Sequence, residues 1–199
     1  MARKTGSNGE KTALQLRHAA TFLFARSGYA AVSMRQIARE VGVQAGALYL
    51  YTADKQTLLF DLLDQHMRDL LKAWQERTDP HGSGPVERLE GFVRFHIRFH
   101  LPRSDEVFIS YMELRNLSPA NFKVIQSARH EYENILQNIL SAGQSDGIFK
   151  LVDTKVATYA IIAMLTGMST WYRDEGRLSL DMVEEIYLDL VLSAAGTKR

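Results

Sequence analysis

No cysteine occurs among the 199 residues, which excludes thiol catalysis, thiolate metal sites and a disulfide framework. Such a chain suits a reducing compartment. Its start, MARKTGSNGEK, lacks the apolar core of a secretory signal, so a cytoplasmic location is expected. Proline is scarce, with four residues, and no apolar run reaches the roughly 20 residues of a bilayer span. The stretch Val156 to Tyr172 has no formal charge but is only 17 residues long and includes Thr158, Thr166, Ser169 and Thr170, so it reads as a buried helix. Also missing are a Gly-rich phosphate loop, a nucleophile elbow and a metallohydrolase motif, so neither an enzyme nor a cofactor is expected.

What is present is an ordinary globular composition, 46% hydrophobic and 24% charged. Net charge is +1, but it is unevenly distributed. Residues 1–55 hold eight Lys/Arg (Arg3, Lys4, Lys11, Arg17, Arg26, Arg35, Arg39, Lys55) against Glu10, Glu40 and Asp54, a net of +5 that leaves −4 for the remainder. Salt confines a useful field to about 8–10 Å, so phosphate binding needs only a locally basic head.

Helical periodicity dominates, and about nine helices in an all-α fold are expected. The first spans about Glu10 to Ser27, with Leu16, Ala19, Ala20, Leu23 and Phe24 on one face and Gly28 closing it. A long helix from Lys55 carries Leu58, Leu59, Leu62, Leu63, Met67, Leu70, Leu71 and Trp74 and ends at TDPHGSGP, residues 78–85, the clearest break in composition. Further helices are expected near 86–101, 103–116, 119–143, 153–173 and 180–195. Between the first helix and the long one, Ser33 opens a capping box with Gln36, Ile37, Ala38 and Val41 follow at helical spacing, and Gly42 supplies a turn before a second short segment, Gln44 to Tyr51. That is a helix-turn-helix, whose second helix enters the DNA major groove. An ordinary helical hairpin is the bland alternative, and the basic head weighs against it.

The run FARSGYAAVSMRQIAREVGVQAGALY, followed by a lysine and a leucine-rich helix, resembles the TetR family of transcriptional regulators over about residues 10–70. The resemblance implies a homodimeric, all-helical repressor. Its parts would be a flexible basic arm at 1–9, a DNA-binding domain at 10–55 with a connecting helix at 55–77, and a ligand-binding and dimerisation domain at 78–199. Ser33 and Arg35 match family positions at the DNA backbone. Gln44, Ala45 and Ala47 match base-reading positions, and Gly46 permits close approach. Tyr49 and Lys55 match phosphate-binding positions. Glutamine can pair bidentately with adenine, and alanine can meet a thymine methyl. The chain departs from the family at Leu50, Tyr51 and Thr52, where a final packed aromatic is usual; Tyr51 either fills that place or contacts phosphate. The operator sequence is therefore not transferable. The C-terminal WYRDEGRLSLDMVEEIYLDLVL also resembles regulators of fatty-acid, sterol or other acyl-CoA catabolism.

In the C-terminal part, Phe92, Phe95, His96 and Phe99 form an aromatic face that Phe108, Tyr111, Met112, Met164, Met168, Trp171 and Tyr172 can oppose. Plain core is the bland reading of each residue; together they suit the lining of a cavity for a small apolar effector, a fatty acid or acyl-CoA. Arg94, Arg98, Arg115, Arg129 and Arg173 are candidates for its acidic end, with solvated surface as the alternative. His96 and His100 have the i, i+4 spacing of a metal pair, but a third ligand would have to come from His130 or Glu113 without any signature, and no metal is expected. Ala160, Ala163 and Gly167, with Met182, Ile186, Tyr187 and Leu190, offer more apolar surface than a monomer needs and predict a two-fold interface. A two-fold dimer would read a near-palindromic double-stranded operator with half-sites about 34–36 Å, or a multiple of that, apart, and the effector would release it. A helical lipid-binding or scaffold protein without operator binding is the rival class.

Overall fold

A computed structural model describes residues 6–78 and 84–197. Among these residues the fold is all-helical, with ten α-helices, two of them only four residues long, against about nine expected. In chain order they are α1 (Gly6–Ser27), α2 (Met34–Val41), α3 (Ala45–Leu48), α4 (Lys55–Glu76), α5 (Pro85–His100), α6 (Ser104–Met112), α7 (Pro119–Ser145), α8 (Thr154–Thr166), α9 (Met168–Trp171) and α10 (Leu180–Ala194). Single 3-10 turns at Leu101–Arg103 and Leu114–Asn116 flank α6. Most of the proposed arm, and the centre of the TDPHGSGP break, lie outside the described residues.

Several boundaries differ from the periodicity. Helix α1 starts four residues earlier, at Gly6, because the polar segment before Glu10 continues the same helix. The expected second segment of the motif, Gln44 to Tyr51, is an α-helix only over Ala45–Leu48 and then tightens into i→i+3 turns, with the Leu50 and Tyr51 amides on the Ala47 and Leu48 carbonyls. The expected helix over 153–173 divides at Gly167. There the Ser169 and Thr170 hydroxyls take the Thr166 and Gly167 carbonyls, at 2.8 and 2.7 Å, in competition with the helix's own amides.

The described residues form two compact units, one within Met1–Arg68 and Asp105–Gln126, the other within Asp69–Ser104 and Ser127–Arg199. In the first, Leu16, Ala20 and Phe24 of α1, Ile37 and Ala38 of α2, Leu48 of α3 and Leu58, Leu59 and Leu63 of α4 are buried. Helix α4 is started by Asp54, whose carboxylate accepts the Thr57 amide at 2.7 Å; that bond holds the Asp54 pKa below the ordinary aspartate value. In the second unit, α5 packs against α8 and α10. Its core includes Leu89, Phe92, Val93, Ile97, Leu136, Leu140, Ile161, Leu165, Leu188 and Val191.

The end of α7 is fixed by a close approach. The Ile148 and Phe149 amides both reach the Gly143 carbonyl at 2.9 Å, folding the Phe149 ring over the glycine. A Cβ at position 143 would lie 2.2 Å from a ring carbon. Gly143→Ala is therefore expected to lower stability by about 1–3 kcal/mol through overpacking, despite alanine's better helix propensity, as measured by urea titration. An unchanged or raised midpoint would show that the ring moves aside at no cost.

Candidate nucleic-acid interface

The motif is built from its caps outward. The Ser33 hydroxyl accepts the Gln36 amide at 3.3 Å, while the Gln36 side-chain oxygen accepts the Ser33 amide at 2.7 Å and the Ser33 hydroxyl proton at 2.8 Å. The capping box expected from the sequence is thus complete. It engages Ser33, one of the expected DNA contacts, in fixing the start of α2. At the other end Gly42 adopts φ +79°, and the Val43 amide bonds the Ala38 carbonyl at 3.0 Å, so the chain reverses sharply into α3.

Helix α3 turns one apolar residue inward, Leu48, and presents the others. Gln44 is its N-cap by position, yet its side chain makes no cap hydrogen bond, which leaves the whole amide for a base edge. Gly46 is exposed, and a Cβ added there meets no atom within 4 Å, so the backbone has room for a close partner. Ala45 and Ala47 are half-buried, and Arg35 and Arg39 of α2 are exposed. Tyr49 is 56% exposed, which leaves its hydroxyl to solvent or phosphate, and Leu50 is 82% exposed.

The place of the missing family aromatic is taken by Thr52 itself. It is only 5% exposed; its amide bonds the Leu48 carbonyl at 3.1 Å and its hydroxyl donates to the Asp54 carbonyl at 3.0 Å. Tyr51 therefore stays at the surface instead of filling a gap. Lys55 is engaged within the head: its ammonium donates to the Tyr29 and Val32 carbonyls at 2.9 and 2.8 Å and lies 4.2 Å from the centre of the Tyr29 ring. One N–H remains for a phosphate. Gln56, which the motif does not point to, also binds this loop through the Tyr29 hydroxyl, and its further bond to the Asn116 carbonyl, 60 positions away, leaves no sequence signal.

In the second unit, α8 exposes Val156, Tyr159, Ala160 and Ala163, and α10 exposes Met182, Ile186 and Leu190 at four-residue intervals. Trp171 stacks on Tyr187 at 6.2 Å between ring centres, and Gly167 is half-buried. Of the seven residues expected at an interface, six lie on the neighbouring helices α8 and α10 and Gly167 follows α8 directly; five are exposed, and Gly167 and Tyr187 are half-buried.

The expected effector set divides. Phe92, His96, Phe99, Met168 and Tyr172 are buried, Phe95 and Met164 are half-buried, and Trp171 is exposed. Around them the rings pair as core: Trp74 meets Phe92 at 5.3 Å and Phe95 at 5.1 Å, and Phe92 meets Tyr132 at 5.3 Å. Phe108, Tyr111 and Met112 occupy an exposed face of α6 in the other unit. The two nitrogens of His96 are hydrogen-bonded to the Tyr132 and Thr166 hydroxyls, each at 3.1 Å, and His100 bonds the His96 carbonyl at 2.9 Å. Two of the candidate arginines are bound internally: Arg98 grips the buried Glu184 carboxylate with two bonds of 2.7 Å, and Arg94 reaches Glu184 at 3.3 Å and also pairs with Glu185. The bonds to Glu184, and its charge, raise the Arg98 pKa above the ordinary arginine value. No helix among the described residues is long and apolar enough to cross a membrane.

Comparison with known proteins places this architecture. The profile of bacterial regulatory proteins of the tetR family matches residues 16–62, and that of the tetracyclin repressor-like C-terminal domain matches residues 82–195. The chain is 28% identical over 194 residues to the HTH-type transcriptional repressor KstR2 of Mycolicibacterium smegmatis, covering 96% of this chain and 94% of that one. It is 25% identical over 187 residues to the fatty acid metabolism regulator protein of Bacillus subtilis, covering 93% and 96%. A solved bacterial regulatory protein of the tetR family from Rhodococcus RHA1 matches with a TM-score of 0.85 at 27% identity, covering 95% of this chain and 99% of that one. The capped α2, the glycine turn and the outward-facing α3 are thus the head of a family fold matched on both sides of α4, and the chain belongs to the TetR family of bacterial transcriptional regulators.

Proposed function

We propose that the protein is a homodimeric repressor that holds a near-palindromic operator through two copies of α3 and is released by a small apolar effector, a fatty acid or acyl-CoA. The observation that carries the operator reading is the outer face of α3: an uncapped Gln44, an open Gly46 and an exposed Tyr49 on a head of net charge +5. Gln44, with Ala45 and Ala47, reads bases; Arg35, Tyr49, Tyr51 and the remaining N–H of Lys55 hold phosphates, and Ser33 orients α2. The dimer reading rests on the uncovered α8 and α10 faces. The effector class rests on the aromatic and Met set around Phe92 and Met168 and on the name of the Bacillus subtilis relative. No turnover of the effector is expected, since binding alone shifts the equilibrium. To move it from 1:99 to 99:1, the effector must favour the released state by about 5.5 kcal/mol.

The test begins with selection of bound fragments from genomic DNA, followed by fluorescence anisotropy on the recovered fragment. Gln44→Ala is expected to weaken binding to that fragment by about 1–3 kcal/mol with little effect on unrelated DNA, whereas Tyr49→Phe should weaken both alike and leave the salt dependence unchanged, because the lost hydroxyl carries no charge. Absence of any selected fragment, or affinity indifferent to salt, would leave only a helical lipid-binding protein. Failure of free fatty acids and acyl-CoAs of any chain length to release the fragment would remove the effector class and leave the operator reading intact.

A further inference from the structure

The loop between α1 and α2 ends at Ser33, the N-cap of the first helix of the motif, so whatever fixes this loop also fixes the angle of that helix. The Tyr29 and Val32 carbonyls accept from Lys55, and the Tyr29 hydroxyl accepts from Gln56 Nε2 at 3.3 Å. The Tyr29 amide, by contrast, donates to Glu113 Oε1 at 3.1 Å, from just beyond the end of α6 and 84 positions away in sequence. Gln56 closes the circuit: its Nε2 also donates to the Asn116 carbonyl at 2.7 Å, and its Oε1 accepts the Ser118 amide at 3.0 Å. Asn116 Nδ2 in turn donates to Glu113 Oε2 at 2.5 Å.

The chemistry is costly for a mere brace. Glu113 is 4% exposed, and its carboxylate accepts from a backbone amide and a side-chain amide, both neutral. A buried carboxylate held by neutral donors stabilises less than an apolar contact of the same size would, because its desolvation must be offset first. What it provides is discrimination. Hydrogen bonds weaken steeply with misalignment, whereas apolar contacts tolerate sliding, so a fully satisfied Gln56 amide and Glu113 carboxylate are either engaged or broken.

We propose that the Glu113–Gln56 circuit is a latch that makes operator affinity conditional on the conformation of the α6–α7 connection. Closed, it holds Ser33 and α2 in the reading position; open, it frees the motif without altering any residue that faces DNA. Gln56 and Glu113 are positioning residues in this scheme, which rests on the operator reading above.

Full-length protein carrying Gln56→Leu, Glu113→Gln or both is compared with Ile139→Val, a change in the core of the other unit. Operator affinity is read by anisotropy on the selected fragment, and the loop by hydrogen exchange at the Val32 and Gln36 amides. Each single variant is expected to bind about tenfold more weakly and to exchange faster at both amides. The double variant should be little worse than either single one, because both changes open the same circuit, and Ile139→Val should change neither reading. If Gln56→Leu does not fold, Asn116→Ala takes its place. Variants that melt earlier yet keep operator affinity and slow exchange would overturn the latch, as would strictly additive losses. If the wild-type chain binds no DNA, the operator reading fails and control of operator affinity fails with it; unchanged exchange at Val32 on substitution of residue 113, in a chain that does bind DNA, overturns the latch alone.

Discussion

Arg98→Ala is expected to destabilise the C-terminal unit by about 3 kcal/mol, and its combination with Arg94→Ala by about 4–5 kcal/mol. The reason is an asymmetry of burial. The Glu184 side chain is fully buried, whereas Arg94 and Arg98 keep part of their surface in water, so removing the arginines strands a carboxylate that cannot reach solvent. Removing the carboxylate does the reverse, since both guanidinium groups can turn outward and become hydrated. Glu184→Gln, which keeps the shape and one acceptor oxygen, should cost only about 1–2 kcal/mol. The double change Arg98→Ala, Glu184→Leu should recover much of the loss, because an apolar side chain suits the site that the pair leaves. Both tryptophans, Trp74 and Trp171, belong to this unit, so urea unfolding followed by tryptophan fluorescence reads it directly. A loss of about 3 kcal/mol corresponds to a fall of roughly 6–12 °C in Tm for a chain of this size. Equal losses from Arg98→Ala and Glu184→Gln would refute the asymmetry.

Ile186→Arg combined with Leu190→Arg is expected to yield a folded monomer whose operator affinity has fallen by about 10²–10⁴-fold. Both positions are exposed on α10, so new charges there leave the packing of Val183, Leu188 and Val191 on its buried side untouched. In a dimer the same charges would be buried against their two-fold copies, a like-charge contact that costs several kcal/mol. Loss of affinity follows without any loss of DNA contact, because two linked half-site readers bind far more tightly than one. Sedimentation shows the change in mass, anisotropy the change in affinity, and circular dichroism the retained helix. A double variant that remains dimeric would move the interface elsewhere; a monomer with undiminished affinity would remove the need for two heads.

The sequence revealed the parts of this protein whose cause is local. The capping box at Ser33, the reversal at Gly42 and the leucine stripe of α4 each follow from residues within one or two turns, and each stands where periodicity and capping put it. The uncovered apolar faces of α8 and α10 were legible for a related reason, since small and apolar side chains at helical spacing define a face wherever the helix lies. The effector set was less legible, because aromatic residues serve equally as core and as cavity lining, and only packing shows that Phe92 pairs with Trp74 and Tyr132. Contacts between remote segments left no trace at all. Nothing in the order of residues couples Glu113 to Tyr29, Glu184 to Arg98, or His96 to Tyr132 and Thr166. Thr52 is the instructive case: the departure from the family pattern left Tyr51 either to fill the missing place or to contact phosphate, and the buried threonine occupies that place itself, with its amide on the Leu48 carbonyl and its hydroxyl on the Asp54 carbonyl.

Helix α3 has only four residues, far fewer than the roughly 12–15 at which an isolated helix begins to hold in water. Its shape is therefore borrowed from the turn at Gly42, the inward Leu48 and the buried Thr52, none of them among the residues proposed to read DNA. A surface whose folding is underwritten elsewhere is open to revision: the exposed Gln44, Gly46, Tyr49 and Leu50, proposed to face DNA, are expected to be exchangeable with little consequence for stability. Mutational drift, or a designer, can then move such a head from one DNA sequence to another through a series of folded intermediates.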